Sequence, residues 1–279
     1  MKKVELVKGI QSSALGFGCA PILGSVSAKT ALRALDCALD CGINHFDLAR
    51  SYGYGEAESF VGKVLKGKRD RVIIASKFGI TANWKAKILR PAKPIVRFVR
   101  DKMTANISQR PIQITNTVAD KLHNRVIPDG KIMRKSLEKS LRALGTDYLD
   151  YFFLHEPLQS IPDIDELADI AEMLKTEGKI RAWGLAFMRS DEHLHQAYLN
   201  RFDVLQFDNS PGAKGYDTIV TDRGQKGNII FSPLRAGTPD LKPVEKLNKI
   251  FNDFPDSVIL CSMFNEQHIR ENAALVNSN

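Results

Sequence analysis

Four side chains fall where they could act together. Short apolar runs at 44–48, 72–76 and 148–154 read as buried strands, and each delivers polar residues at its end. The first ends in Asp47 and is followed by Tyr52, the second ends in Lys77, and the third in His155. Singly, each has a plain structural explanation: a loop cap, a rim aromatic, a solvated strand end, a hydrogen-bonded terminator. At consecutive strand ends they can share one small volume. A phenol with an ordinary pKa of about 10 is a weak acid at neutral pH. A lysine ammonium beside it favours the phenolate and so is expected to lower that pKa, while an aspartate anchors the lysine. A neutral histidine can orient a carbonyl oxygen. Proton delivery to a carbonyl under reduction fits this set, and since no side chain gives up hydride, a nicotinamide must lie across the site.

The elements that would position these groups alternate regularly. A short N-terminal hairpin leads to a strand at 15–19, then a helix over 28–41 with Leu32, Leu35 and Leu39 near helical spacing. A helix at 56–65 follows the Asp47 strand. Met133, Leu137 and Leu141 mark another, which stops at Gly145. Further strands are expected at 180–186, 204–207, 228–232 and 257–261, with helices ending near Gly178, at 191–199, at 244–251 and from Glu266. Eight strand–helix units whose strands read as continuous apolar runs suit a parallel sheet covered by helices. The expected fold is therefore α/β, a single (β/α)8 TIM barrel over residues 1–279, with a basic insert after strand 3 (about 81–128) and a short C-terminal tail. A doubly wound sheet should carry a Gly-rich phosphate loop, and Gly16-Phe17-Gly18 lacks its third glycine.

At this point the residues resemble the aldo-keto reductase family. The run from Gly42 to Glu56, GINHFDLARSYGYGE, is similar to that family's G-x-N-x-F-D-T-A-x-x-Y-G-x-S-E signature. Ser76-Lys77-Phe78-Gly79 resembles its lysine strand, Tyr148-Leu149-Asp150-Tyr151 to His155 its histidine strand, and Ile180-Arg181-Ala182-Trp183-Gly184 its fifth strand. Phe231-Ser232-Pro233-Leu234 and Glu271-Asn272 resemble its seventh-strand and closing motifs. The resemblance implies Tyr52 as general acid, Lys77 as the partner that lowers its pKa, Asp47 as anchor and His155 as the substrate-orienting group. It further implies that Gln206 meets the nicotinamide carboxamide, Phe231 stacks on the ring, and Ser232 and Leu234 line the pyrophosphate. Glu271 and Asn272 would hold the adenine, with Met263 to His268 at the 2′-phosphate end. The implied cofactor is NADP, with NAD an alternative, and the implied partner a small carbonyl compound.

Three departures stand out. The family's Ser-Asn pair after the fifth-strand glycine is Ala186-Phe187, removing two hydrogen bonds to the carboxamide. The arginine used on the 2′-phosphate is His268, the preceding lysine position is Cys261, and Arg270 is one residue out of register. The chain also ends seven residues past Asn272, where family members add a helix and a loop, so a more open pocket is expected. The missing Ser-Asn pair, the short tail and the unusual insert leave a second reading alive, a barrel that senses nicotinamide redox state without turnover.

The net charge of +8 on 279 residues hints at an anionic partner, but it is local. Residues 81–126 hold ten Lys/Arg against Asp101 and Asp120, and the other 233 residues balance. That segment reads either as a solvated loop or as a rim that receives an anionic substrate, with a lipid-facing surface behind them, since Pro91 and Pro94 break any long helix. No nucleic-acid recognition motif accompanies the charge. No apolar run is long enough to span a membrane and no secretory signal is visible, so a cytoplasmic location is expected. The cysteines Cys19, Cys37, Cys41 and Cys261 do not form a disulfide scaffold pattern, and no metal site is expected: His193 and His195 read as residues of a surface helix.

Overall fold

Every residue of the Lys77 strand and of the His155 strand is buried, as strands enclosed on both faces require. The computed structural model describes residues 1–83, 123–216, 218, 227–237 and 241–278. A hairpin, β1 (Lys3–Val7) and β2 (Ile10–Ser13), precedes the first barrel strand β3 (Leu15–Gly18). Helix α1 (Ala28–Asp40), β4 (His45–Asp47), α2 (Ala57–Val64) and β5 (Ile73–Phe78) follow. A second hairpin pairs β6 (Ile80–Ala82) with β7 (His123–Arg125). Next come α3 (Gly130–Leu144), β8 (Leu149–His155), α4 (Ile164–Thr176), β9 (Ile180–Phe187), β10 (Val204–Asp208) and β11 (Asn228–Phe231). The last elements are α5 (Pro243–Asp253), β12 (Val258–Cys261) and α6 (Glu266–Ser278).

The eight strands β3, β4, β5, β8, β9, β10, β11 and β12 pair in parallel and close, with β12 returning to β3 at Ile259 and Leu15. The expected (β/α)8 barrel is what forms. Its helices start and stop where local chemistry dictates. Ser27 caps α1 by accepting from the Thr30 N–H, and Asp129 and Asp163 cap α3 and α4 through the Ile132 and Glu166 N–H groups. Gly145 ends α3 in the left-handed region.

The N-terminal hairpin meets one end of the barrel. Asn44 ties it to β4, accepting from Ser13 N–H at 2.6 Å and donating to the Gln11 carbonyl at 2.9 Å. Ser12 Oγ lies 3.1 Å from His45 Nδ1 and 3.5 Å from Tyr151 Oη. Beside it, Asp150 is buried between Arg69 at 2.7 Å and Arg181 at 2.8 Å. His45 and Asp47 alternate with Phe46 along β4, so both lie on one face, His45 one layer deeper. Its ring is 5.6 Å from that of Tyr151.

One expectation changes. The helix over 191–199 is two 3-10 turns, Arg189–Leu194 and Gln196–Arg201. His195 is fully buried rather than on a surface, whereas His193 is exposed. One His195 ring nitrogen lies 2.8 Å from Tyr198 Oη and the other 3.2 Å from the Pro157 carbonyl. Tyr198 Oη also accepts from the Ile161 N–H at 2.9 Å and donates to the Leu194 carbonyl at 3.2 Å, so both side chains are tied inward. Of the basic insert, residues 81–83 and 123–128 are described, and the reading of its remaining stretch as a rim for an anionic substrate lies outside the described residues. Among the described residues no helix is long and apolar enough to cross a membrane.

Burial and the neighbouring Lys77 charge push the His45 imidazole down to about 3. The unfolded chain protonates this group below about 6.5, the folded chain does not, so stability falls as pH drops through that window. The slope is about 1.4 kcal/mol per pH unit. His45→Phe is expected to remove about 2 kcal/mol of the stability lost between pH 6.5 and 5, read from urea denaturation at both pH values.

Candidate active site

Lys77 is the centre of the site. It sits on β5 with its side chain 2% exposed, and its ammonium has three partners. It donates to Asp47 Oδ2 at 2.6 Å, to the Leu48 carbonyl at 2.8 Å and to Tyr52 Oη at 3.3 Å. Asp47 ends β4, so adjacent parallel strands bring acid and base together without any long loop. The other Asp47 oxygen accepts from Gln206 Nε2 at 2.9 Å, across the barrel on β10.

Tyr52 is not on a strand. It opens a short 3-10 turn (Tyr52–Tyr54) after β4, and Gly53 lets that turn pack closely. Gly53 has φ of 60°, and a Cβ there would lie 2.6 Å from the Ile22 carbonyl. Arg50 in the same loop pairs with buried Glu58 of α2, which also accepts from Ser76 Oγ at 2.6 Å. His155 ends β8, and its ring meets that of Tyr52 edge-on with centroids 6.0 Å apart.

The structure corrects one expectation about Tyr52. Lys77 was expected to draw its pKa down, but the phenol is held well above its ordinary value. Burial is the main cause, followed by the carboxylates of Asp47 and Glu156 and the Cys19 thiol. The Lys77 charge is matched by Asp47 at shorter range, so the tyrosine oxygen stays protonated. His155 is held well below the usual imidazole range by burial, then by Lys77, Arg125 and His123, and so is neutral, as expected.

One cavity of about 730 Å³ is lined by all twelve residues singled out from sequence. Asp47, Tyr52, Lys77 and His155 lie together at one part of it, and Gln206, Phe231, Ser232, Leu234, Met263, His268, Glu271 and Asn272 continue the wall. Met263 lies in the loop before α6 rather than in its first turn. Asn272 Nδ2 lies 3.2 Å from its sulfur. Ser232 has a positive φ of 56°, a conformation stored more often at sites than elsewhere. Phe187, in place of an asparagine, is buried against Phe207 and His195, with centroids 6.0 and 5.9 Å away. Ala186 faces the cavity with only a methyl group. Sequence reasoning passed over Glu156 and Arg235, which also line it. The position of Glu156 next to His155 at a strand end was the available signal.

The family profile of the aldo/keto reductases matches residues 14–210, most of the chain. The chain belongs to the aldo/keto reductase family. It is 32% identical to aldo-keto reductase YhdN of Bacillus subtilis (strain 168) over 184 residues, 64% of this chain and 44% of that protein. It is 30% identical over 253 residues to the NADH-specific methylglyoxal reductase of Escherichia coli (strain K12), 85% of this chain and 68% of that one. Among solved structures, the aldo-keto reductase from Klebsiella pneumoniae in complex with NADPH shares the fold. Its TM-score is 0.68 at 21% identity, covering 99% of this chain and 89% of that one.

In this family member the Lys77–Asp47 pair is buried, so removing one partner strands a charge. Lys77→Met is expected to cost about 3–5 kcal/mol of folding stability. Adding Asp47→Asn to it should recover part of that loss, as measured by denaturant unfolding of both variants.

Proposed function

We propose that the chain reduces a small carbonyl compound to an alcohol with a nicotinamide dinucleotide, NADPH or NADH, held along the cavity. The observation that carries this reading is the Lys77 ammonium shared between Asp47 and Tyr52, with neutral His155 on the same wall. A second observation supports the cofactor. Gln206 Oε1 is buried and has no hydrogen-bond partner among the described residues, although its amide nitrogen is bound to Asp47. A buried acceptor left open on a cavity wall costs free energy until a donor fills it, and a carboxamide NH2 is such a donor.

When bound, the reduced nicotinamide supplies the hydride. The chain's own residues do the rest. Phe231 and Ala186 put apolar groups on the wall of the cavity that Gln206 also lines, and Phe231 would stack on the nicotinamide ring. Tyr52 Oη, kept protonated, gives its proton to the carbonyl oxygen as negative charge builds there. Lys77, 3.3 Å away, stabilises the phenolate this leaves, and Asp47 holds Lys77 in place. His155, neutral, offers a ring nitrogen to orient the carbonyl. Of the remaining lining residues, Ser232 and Leu234 would line the pyrophosphate, Glu271 and Asn272 would hold the adenine, and Met263 and His268 would meet the 2′-phosphate end. There one imidazole and one carboxylate favour neither cofactor outright.

Tyr52→Phe keeps the ring and removes the proton. It is expected to lower kcat by about two to four orders of magnitude while cofactor binding, followed by fluorescence quenching, persists. Binding of cofactor by the wild type with no turnover on any aldehyde would instead favour the redox-sensing barrel. The pH profile follows from the two shifts: His155 titrates well below 6.5 and Tyr52 well above 10. The single-turnover rate of reduction should therefore change by less than about twofold from pH 6 to 8. A midpoint near neutral pH would contradict that.

A further inference from the structure

Glu156 carries a carboxylate into the same cavity directly after His155. Its backbone is left-handed, with φ of 43°, which is unusual for a side chain of this type. Three contacts hold it there. Its N–H donates to the Ala186 carbonyl at 2.7 Å, its own carbonyl accepts from Arg125 Nη1, and Arg125 Nη2 reaches Oε2 at 3.4 Å. The other oxygen, Oε1, is 3.9 Å from His155 Nε2, too far for a hydrogen bond and near enough for a small substituent to touch both. The same carboxylate helps to raise the Tyr52 phenol. A negative charge thus stands beside both groups that would receive a carbonyl oxygen.

We propose that Glu156 is a specificity-determining residue that reads the group bonded to the carbonyl carbon. It accepts a hydrogen bond from a hydroxymethyl there and rejects a carboxylate. The proposal rests on the carbonyl-reducing reading above. A carboxylate brought within about 4 Å of Oε1 meets like charge in a site partly shielded from water, where repulsion outweighs the gain from one neutral hydrogen bond. Arg125 offsets only part of this repulsion, because it pairs with the far oxygen, Oε2, at 3.4 Å and leaves Oε1 turned toward His155. Arg125 is also the one Lys or Arg of the basic 81–126 segment among the described residues. Its pairing with Glu156 turns that part of the mouth away from anion capture. The left-handed backbone, held by three contacts, is strain retained at a point where the side chain must be aimed.

The test compares kcat/KM for hydroxyacetone and pyruvate, each normalised to butanone, in the wild type and in Glu156→Gln. The three ketones share a methyl group and differ only in the substituent across the carbonyl. The wild type should favour hydroxyacetone, and the variant should narrow that preference by about tenfold or more. Glu156→Asn removes the same charge and suits a left-handed backbone, so it should move the ratio the same way even if the glutamine variant folds poorly. An unchanged ratio overturns the proposal. Saturation-transfer NMR with lactate gives a readout without turnover, with binding expected to the variants and not to the wild type. Should none of the proteins reduce butanone, hydroxyacetone or pyruvate, the carbonyl-reducing reading fails. The lactate comparison then decides the role of Glu156 by itself, and equal binding in all three rejects it.

Discussion

A lysine ammonium buried to within 2% of full enclosure must be answered by charge and hydrogen bonds, and the rest of the site is arranged around that demand. Asp47 supplies the charge, the Leu48 carbonyl and Tyr52 oxygen complete the shell, and Gln206 steadies the second carboxylate oxygen. Asp47 ends β4, Leu48 and Tyr52 lie in the loop after it, and Gln206 is on β10, so the full shell forms only when β4, β5 and β10 are closed into one barrel. The ion pair is costly as a stabiliser. Its value lies in fixing where the Tyr52 oxygen stands and what charge faces it.

The same pair explains why the phenol is held as an acid. With Asp47 closer to Lys77 than Tyr52 is, the net field at the phenol oxygen is set by burial and by carboxylates, and the proton stays on. His155 faces the opposite consequence of the same enclosure and loses its proton. A buried phenol that keeps its proton and a buried imidazole that gives it up are complementary hydrogen-bonding partners for one neutral carbonyl. Glu156 then adds the charge that this neutral centre lacks, at the side where a substrate's neighbouring group would rest.

Much of this was legible in the residues. Polar ends on apolar runs located Asp47, Lys77 and His155, because a parallel barrel exposes its chemistry at those ends. The motif-bearing stretches placed Tyr52 and the far wall, and the twelve residues do share one cavity. The misread segments have a common cause. His195 looks like a surface residue because the run around it is charged, yet it is buried against Pro157, thirty-eight residues away, in a segment that forms two 3-10 turns. Glu156 looks like an ordinary loop acid because nothing local marks its left-handed backbone or its distance to His155.

Sequence by itself determined the order of strands and helices, the parallel barrel and the identity of the groups at its mouth. These follow from periodicity, capping residues and strand-end chemistry, which are local or nearly so. Tertiary structure alone decided the protonation of Tyr52 and the aim of Glu156. The first depends foremost on burial and then on nearby carboxylates, and the second on which groups lie within a few ångströms once the barrel closes, relations no linear spacing records.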